Sequence, residues 1–319
     1  MSGEDAMAQQ QLGPLRQVQI AQIATEFYLH GKTRIEIAEE TGLSRFKIGR
    51  LLEEAVATGI VRFEIASTTG VDLGLSIRLK ERFGLHHSVV ASVPVESEEA
   101  MQEALGATAG TLLLEVLGET DVLGLTSGRT LNAMARSMQE LPCRSVVQLA
   151  GVAGPIHQSG LEVIRRMSAL DGVRPWPIYA SLVMSDDQAA AGLRRQPDVR
   201  QAFEQFKRIT VAVGAIGAWP HNSLMFENPA LSEQDRALLL SRGVVAEFAA
   251  TLVTDAGEVV HDLDSRCLAI AEAQIRAIPT RIAVAGGTSK TRAIRAILTS
   301  GLVNGLVTDA ATAERLLAA

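Results

Sequence analysis

The sequence predicts an α/β protein in two parts: a small N-terminal helical unit closed by a strand, and a larger domain built on a parallel sheet. Three observations predict it. Thr33–Ala57 reads as two short helices joined by a tight turn. From about residue 67, short Val- and Ile-rich runs alternate with amphipathic helical segments. Those runs are apolar throughout instead of alternating, the pattern of strands buried on both faces of a sheet flanked by helices. The length of 319 residues fits two domains. The expected division is a flexible tail over 1–15, a helix-turn-helix domain over 16–66, and a ligand-binding domain over 67–319.

In chain order, the first dozen residues, with the run Gln9-Gln10-Gln11, read as the tail. Ile20, Ile23, Ala24, Phe27 and Tyr28 then form an apolar stripe on a helix ending near Gly31. Thr33 and Glu36 fit a capping box for the next helix. Ala38 is small where helices cross, Gly42 sits at the turn, and Ser44 is placed to cap the following helix. On that helix Ile48, Leu51, Leu52 and Ala55 share an inward face. Phe46, Lys47 and Arg50 lie on or near the opposite face, with Arg45 at its flank. Three cations in the first two turns, with Glu53 and Glu54 later, is the charge order of a recognition helix entering the DNA major groove. Thr33, Ser44, Arg45, Phe46, Lys47 and Arg50 are therefore the candidate DNA-binding residues. Val61, Phe63 and Ile65 alternate with Arg62 and Glu64 as a strand, which completes a winged helix-turn-helix.

In the larger part, strands are expected at Ser88–Val93, Val122–Leu125, Val146–Leu149, Ile209–Val213, Arg281–Ala285 and Leu306–Thr308. Helices are expected at Ala100–Leu117, Thr130–Met138, Leu161–Ala169, Glu233–Ser241 and Thr291–Leu298. Such a sheet binds ligands beyond the carboxyl ends of its strands. Three strand-to-helix junctions there carry candidate chemistry. Thr126, Ser127, Gly128, Arg129 and Thr130 combine hydroxyls, a glycine for close approach and a helix N-terminus, which suits an anion such as phosphate. Gly286 and Gly287 precede Lys290 without the full phosphate-loop spacing, so NTP hydrolysis is not expected. Gly151, Val152, Ala153 and Gly154 form a candidate ligand wall. Each of these glycines also fits a plain turn.

Other features weigh against catalysis and metals. Gly214–Trp219 lacks the third glycine of a dinucleotide fingerprint and runs into Pro220. Glu247, Asp262, Asp264 and Arg266 are polar groups among apolar neighbours, suited equally to a pocket or to solvent. The histidines show no metal-ligand spacing, and no cofactor is expected. Cys143 and Cys267 read as buried thiols in a reducing compartment. No signal peptide or apolar run of membrane-spanning length is present, so a cytoplasmic protein is expected. The net charge of −6 excludes a polycationic nucleic-acid binder and confines DNA contact to the small unit.

The helix-turn-helix, GLTSGRT, VVQLAGVAG, VAVGAIGAW, RGVVAEF and the closing AVAGGTSKTRAIRAILTSGLVNGLVTDAATAERLL occur in the order seen in SorC-type (DeoR-like) sugar-binding transcriptional regulators. The chain resembles that family from about residue 16 to 319. The resemblance implies a bacterial regulator of carbohydrate or polyol uptake or catabolism. Its effector domain would be similar to the sugar-phosphate isomerase and glucosamine-phosphate deaminase fold. It also implies dimers or tetramers, operator DNA as partner, and a sugar, polyol or sugar phosphate as effector. By position, Thr126 to Thr130 would hold the phosphate or sugar end. Gly151 to Gly154, Glu247 and Lys290 would approach the rest. Glu247 stands where the family often carries aspartate, and Leu252-Val253-Thr254 departs from two aromatics followed by Asp. These departures leave a free sugar or polyol open as the effector. The alternative reading is an isomerase- or deaminase-type enzyme with an appended DNA-binding module.

Overall fold

The computed structural model describes residues 12–63, 70–92, 97–154 and 160–318. It divides into two compact units, Met1–Ala66 and Ser67–Ala319.

In the first unit, α1 (Pro14–Tyr28), α2 (Arg34–Thr41) and α3 (Arg45–Ala57) enclose a core of Ile20, Ile23, Ala24, Ile37, Ile48, Leu51, Leu52 and Ala55. Pro14 and Leu15, expected in the tail, open α1 instead. A proline suits the first helical position, where no backbone donor is needed. The capping box forms: the Glu36 amide donates to Thr33 Oγ1 at 3.3 Å, and the Thr33 amide to Glu36 Oε2 at 2.8 Å. Gly42 takes a left-handed φ of 68°, where a side chain would be strained. The Arg16 guanidinium meets Glu54 at 2.6 Å, tying α1 to α3. Of the strand expected over Val61–Ile65, Val61 to Phe63 are not in a strand, and Glu64 and Ile65 lie outside the described residues.

Among the described residues, the second unit holds a seven-stranded parallel sheet. Its strands are β1 (His87–Ala91), β2 (Val122–Leu125), β3 (Ser145–Gln148), β4 (Arg174–Trp176), β5 (Val211–Gly214), β10 (Thr280–Val284) and β11 (Gly305–Asp309), in the order β1-β11-β10-β5-β2-β3-β4. Alternate residues feed two cores. Leu123, Leu125, Val146, Val211, Val213, Ile282, Val284 and Val307 pack with α5 (Glu98–Val116), α6 (Arg129–Ser137) and α7 (Gly160–Met167). Val90, Val122, Val147, Ala212, Ala283 and Leu306 pack on the other face with α4 (Leu73–Phe83), α9 (Pro197–Gln205), α11 (Glu272–Ala277), α12 (Thr291–Ser300) and α13 (Ala310–Ala318). Burial on both faces is why these strands read as unbroken apolar runs.

A second sheet, which the sequence reading did not contain, runs antiparallel in the order β6 (Ile216–Ala218), β7 (Val244–Phe248), β8 (Thr251–Thr254) and β9 (Val259–Val260). It continues from β5 almost without a break. α8 (Asp187–Arg194) and α10 (Glu233–Ser241) complete the domain. α5 and α6 touch nearly backbone to backbone: a Cβ on Gly106 would lie 2.6 Å from the Met134 amide nitrogen and 2.7 Å from the Ala133 Cβ.

Candidate functional site

The chain runs from β2 outward to β3 and β4, then returns to β5 on the opposite side of β2. That reversal opens a crevice beyond the carboxyl ends of β2 and β5, the place where open α/β sheets receive ligands. A cavity of about 330 Å³ occupies it, lined among others by Thr126, Ser127, Gly128, Arg129, Thr130, Ala153, Asn222, Ser223, Glu247, Ala249, Ala250 and Lys290.

The 126–128 loop is held by its own backbone chemistry. The Thr126 amide donates to the Val213 carbonyl at 3.2 Å, and Thr126 Oγ1 accepts from the Ala215 amide at 3.0 Å. Gly128 sits at φ 146°, and a Cβ there would meet the Ala215 Cβ at 2.8 Å, so only glycine closes this turn. Gly128 caps α6 without a side-chain hydrogen bond. The first-turn amides of α6 therefore keep their donors for an anion. Arg129 bridges the mouth, donating to Glu98 Oε1 at 2.9 Å and to Asn222 Oδ1 at 3.2 Å.

On the opposite wall, β7 presents Glu247. Its Oε2 accepts from Ser223 Oγ at 2.9 Å and from Trp219 Nε1. Gly217 on β6 makes room, since a Cβ there would lie 2.3 Å from Glu247 Oε1. Burial pushes the Glu247 carboxyl above the usual carboxylate range, and the Trp219 and Ser223 donors hold it back. Lys290 reaches in from the turn after β10, its Nζ donating to the Ile216 carbonyl at 2.8 Å. Burial pushes its pKa down, with Arg129 adding to the effect and Glu247 opposing it. The cavity thus holds an acid whose pKa is raised beside a base whose pKa is lowered.

Eight of the thirteen ligand candidates from the sequence thus share this cavity: Thr126 to Thr130, Ala153, Glu247 and Lys290. Gly151, Val152, Gly154, Gly286 and Gly287 do not line it. A Cβ on Gly151 would meet the Ala180 and Ser181 carbonyls at 2.7 Å, and Val152 bridges Ser181 as a short strand contact. Gly154 packs against Leu224, and Gly286 against Asp309 and Leu105. These glycines admit the protein's own atoms. Sequence reasoning missed Gln102, Asn222, Ser223, Ala249 and Ala250, which line the cavity. Asn222, Ala249 and Ala250 hold left-handed φ values of 64°, 49° and 69°. Such outliers gather at functional sites, but two consecutive alanines give no turn signal in sequence.

In the first unit, Ser44 Oγ accepts from the Lys47 amide at 3.3 Å and so opens α3. Arg45, Phe46, Lys47 and Arg50 are all exposed, Phe46 to 73%. The Arg45 guanidinium lies 5.1 Å from the centroid of the exposed Phe46 ring. Thr33 is occupied by its capping box.

A helix-turn-helix borne by a chain whose second unit is an α/β ligand-binding domain defines the class, a metabolite-responsive transcriptional regulator. Residues 69–318 match the model of the Sugar-bind family, a sugar-binding domain. The chain is 30% identical over 305 residues to the transcriptional regulator LsrR of Enterobacter sp. (strain 638), covering 94% of this chain and 92% of that one. It is 26% identical over 302 residues to the uncharacterized transcriptional regulator YjhU of Escherichia coli K12, covering 92% of each. The full-length sorbitol operon regulator SorC of Klebsiella pneumoniae shares the fold, with a TM-score of 0.72 at 23% identity over 94% of this chain and 99% of that one. The protein belongs to the SorC-type family of sugar-binding transcriptional regulators. Among the described residues no helix is long and apolar enough to cross a membrane.

Proposed function

We propose that the cavity is the effector site of a bacterial, cytoplasmic regulator of carbohydrate or polyol uptake or catabolism, with residues 16–66 as its DNA-binding domain and 67–319 as its sensor. The observation that carries this is the convergence of the 126–130 loop, Glu247 and Lys290 on one cavity. The α6 N-terminus with Arg129 and Lys290 suits a phosphate or another electron-rich group. Glu247 suits sugar hydroxyls as an acceptor. The effector is accordingly a sugar, polyol or sugar phosphate. Arg45, Lys47 and Arg50 contact operator phosphates and bases, and Phe46 packs on a base edge or a thymine methyl. A dimer or tetramer reads inverted half-sites, and the effector binds one subunit arrangement better than the other.

A thermal-shift screen of the full chain with sugars, polyols and their phosphates tests the ligand class, because a ligand bound only by the native state raises Tm. An anisotropy titration on operator fragments, with and without the compound found, tests the response. A folded protein with no specific DNA binding at any effector concentration would sink the reading.

One observation favours a second reading. Glu247 and Lys290, a perturbed acid and base, face one cavity, as an isomerase- or deaminase-type enzyme requires. Against it stands the company the chain keeps, relatives named as transcriptional regulators. Incubation with sugar phosphates and a search for turnover separates the two.

A further inference from the structure

The Gly286–Gly287 pair, which does not reach the cavity, has a different occupant. Asp309, at the carboxyl end of β11, is buried, as is Thr312 in the first turn of α13. Asp309 Oδ2 accepts from the Gly287 amide at 2.8 Å and from Thr312 Oγ1 at 2.6 Å, and Oδ1 accepts from the Thr312 amide at 2.9 Å. Thr312 Oγ1 also accepts from the Gly287 amide at 2.9 Å. Gly286 is flush against this carboxylate, since a Cβ would sit 2.4 Å from Oδ2. Gly287, at φ 93°, then turns the chain into the short 3-10 turn Thr288–Lys290, where the Lys290 amide donates to the Gly287 carbonyl at 3.0 Å.

We infer that Asp309 and Thr312 are positioning residues for Lys290. A buried carboxylate is costly unless fully hydrogen-bonded, and its acceptors are spent here on one turn amide and on its own helix cap. The turn it grips leads from β10 to Lys290, the N-cap residue of α12, whose Nζ meets the Ile216 carbonyl in the cavity. The clamp therefore lies behind the Lys290 turn and acts on the ligand site through that side chain. The consequence for effector binding rests on the proposed reading of the cavity, whereas the clamp itself does not.

Competitive acetylation with acetic anhydride across pH, read by peptide mass spectrometry on the full chain, tests it. Lys32, Lys47, Lys80 and Lys207 are the other lysines and serve as internal references. In Thr312→Val and Asp309→Asn the Lys290 turn opens more often, by about tenfold for one lost buried hydrogen bond. Lys290 acetylation then rises relative to the references. Thr312→Ser keeps the hydroxyl and restores the native profile. If Asp309→Asn does not fold, all lysines rise together and Thr312→Val decides. An unchanged Lys290 profile in folded Thr312→Val overturns the clamp. Failure of every sugar and sugar phosphate in the thermal-shift panel to protect Lys290 counts against the effector reading, leaving the clamp standing.

Discussion

Replacing Glu247 by leucine should cost stability in a way that depends on pH with a definite sign. The leucine removes the acceptor of Trp219 Nε1 and Ser223 Oγ, both on buried residues. Each stranded donor costs about 1–3 kcal/mol, so the pair costs roughly 2–6 kcal/mol. That full cost applies on the acid side, where Glu247 is neutral and carries no burial penalty. Its native pKa is raised, so its contribution is fully present below the unfolded value and is lost as pH rises through the native one. The wild type therefore loses stability toward alkaline pH, and the leucine variant does not. Without Glu247 opposite, Lys290 is pushed further down. A lowered lysine favours the folded state as pH rises, which helps the variant again. Both effects narrow the gap between wild type and variant as pH rises, the first from the unfolded carboxylate value upward and the second up to the unfolded lysine value. Urea unfolding followed by tryptophan fluorescence measures this, with Trp219 against the indole of Trp176 as the second emitter. A gap that stays constant or widens with pH refutes the argument.

Three further outcomes are expected. Gly128→Ala puts a methyl 2.8 Å from the Ala215 Cβ at a φ of 146°, at a strain of about 1–3 kcal/mol. The sugar-induced thermal shift should vanish while operator affinity holds, and a preserved shift would show that this loop does not hold the effector. Lys47→Ala should weaken binding to all DNA sequences alike and lower the salt slope by about one, measured by anisotropy at several salt concentrations; sequence-selective weakening would instead make Lys47 a base reader. Thr33→Ala removes the capping box of α2 at about 1 kcal/mol. Amide exchange over 34–41 should quicken about fivefold, and no change there would falsify the capping role.

Much of this fold is written in local pattern. Val122–Leu125 and Glu233–Ser241 have the bounds read from sequence, because an unbroken apolar run ends at a glycine loop in one and a Ser232–Asp235 capping box opens the other. The antiparallel sheet escaped for a physical reason. Its β7–β8 turn is Ala249-Ala250, two left-handed alanines where hairpin turns ordinarily announce themselves with Asn or Gly. β4 escaped because Pro175 interrupts an edge strand of three residues, where a missing donor does no harm. In the cavity, residues with polar groups at strand ends were legible. Gly286 and Gly151 were misread because a glycine signals close approach without saying whose atoms approach. Asn222 and Ser223 lie in a loop whose place beside Glu247 only the folded chain creates.

The missing side chain at Gly106 has a mechanical consequence. With the Met134 amide filling the space a Cβ would need, α5 and α6 have no clearance to slide past one another. The loop that closes the cavity leads directly into α6, so any tilt of α6 must be shared by α5. α5 has 19 residues and spans about 28 Å. A displacement of α6 at the 126–130 loop is thus passed to α5 at Gly106, and along α5 from Glu98, beside Arg129, to Val116.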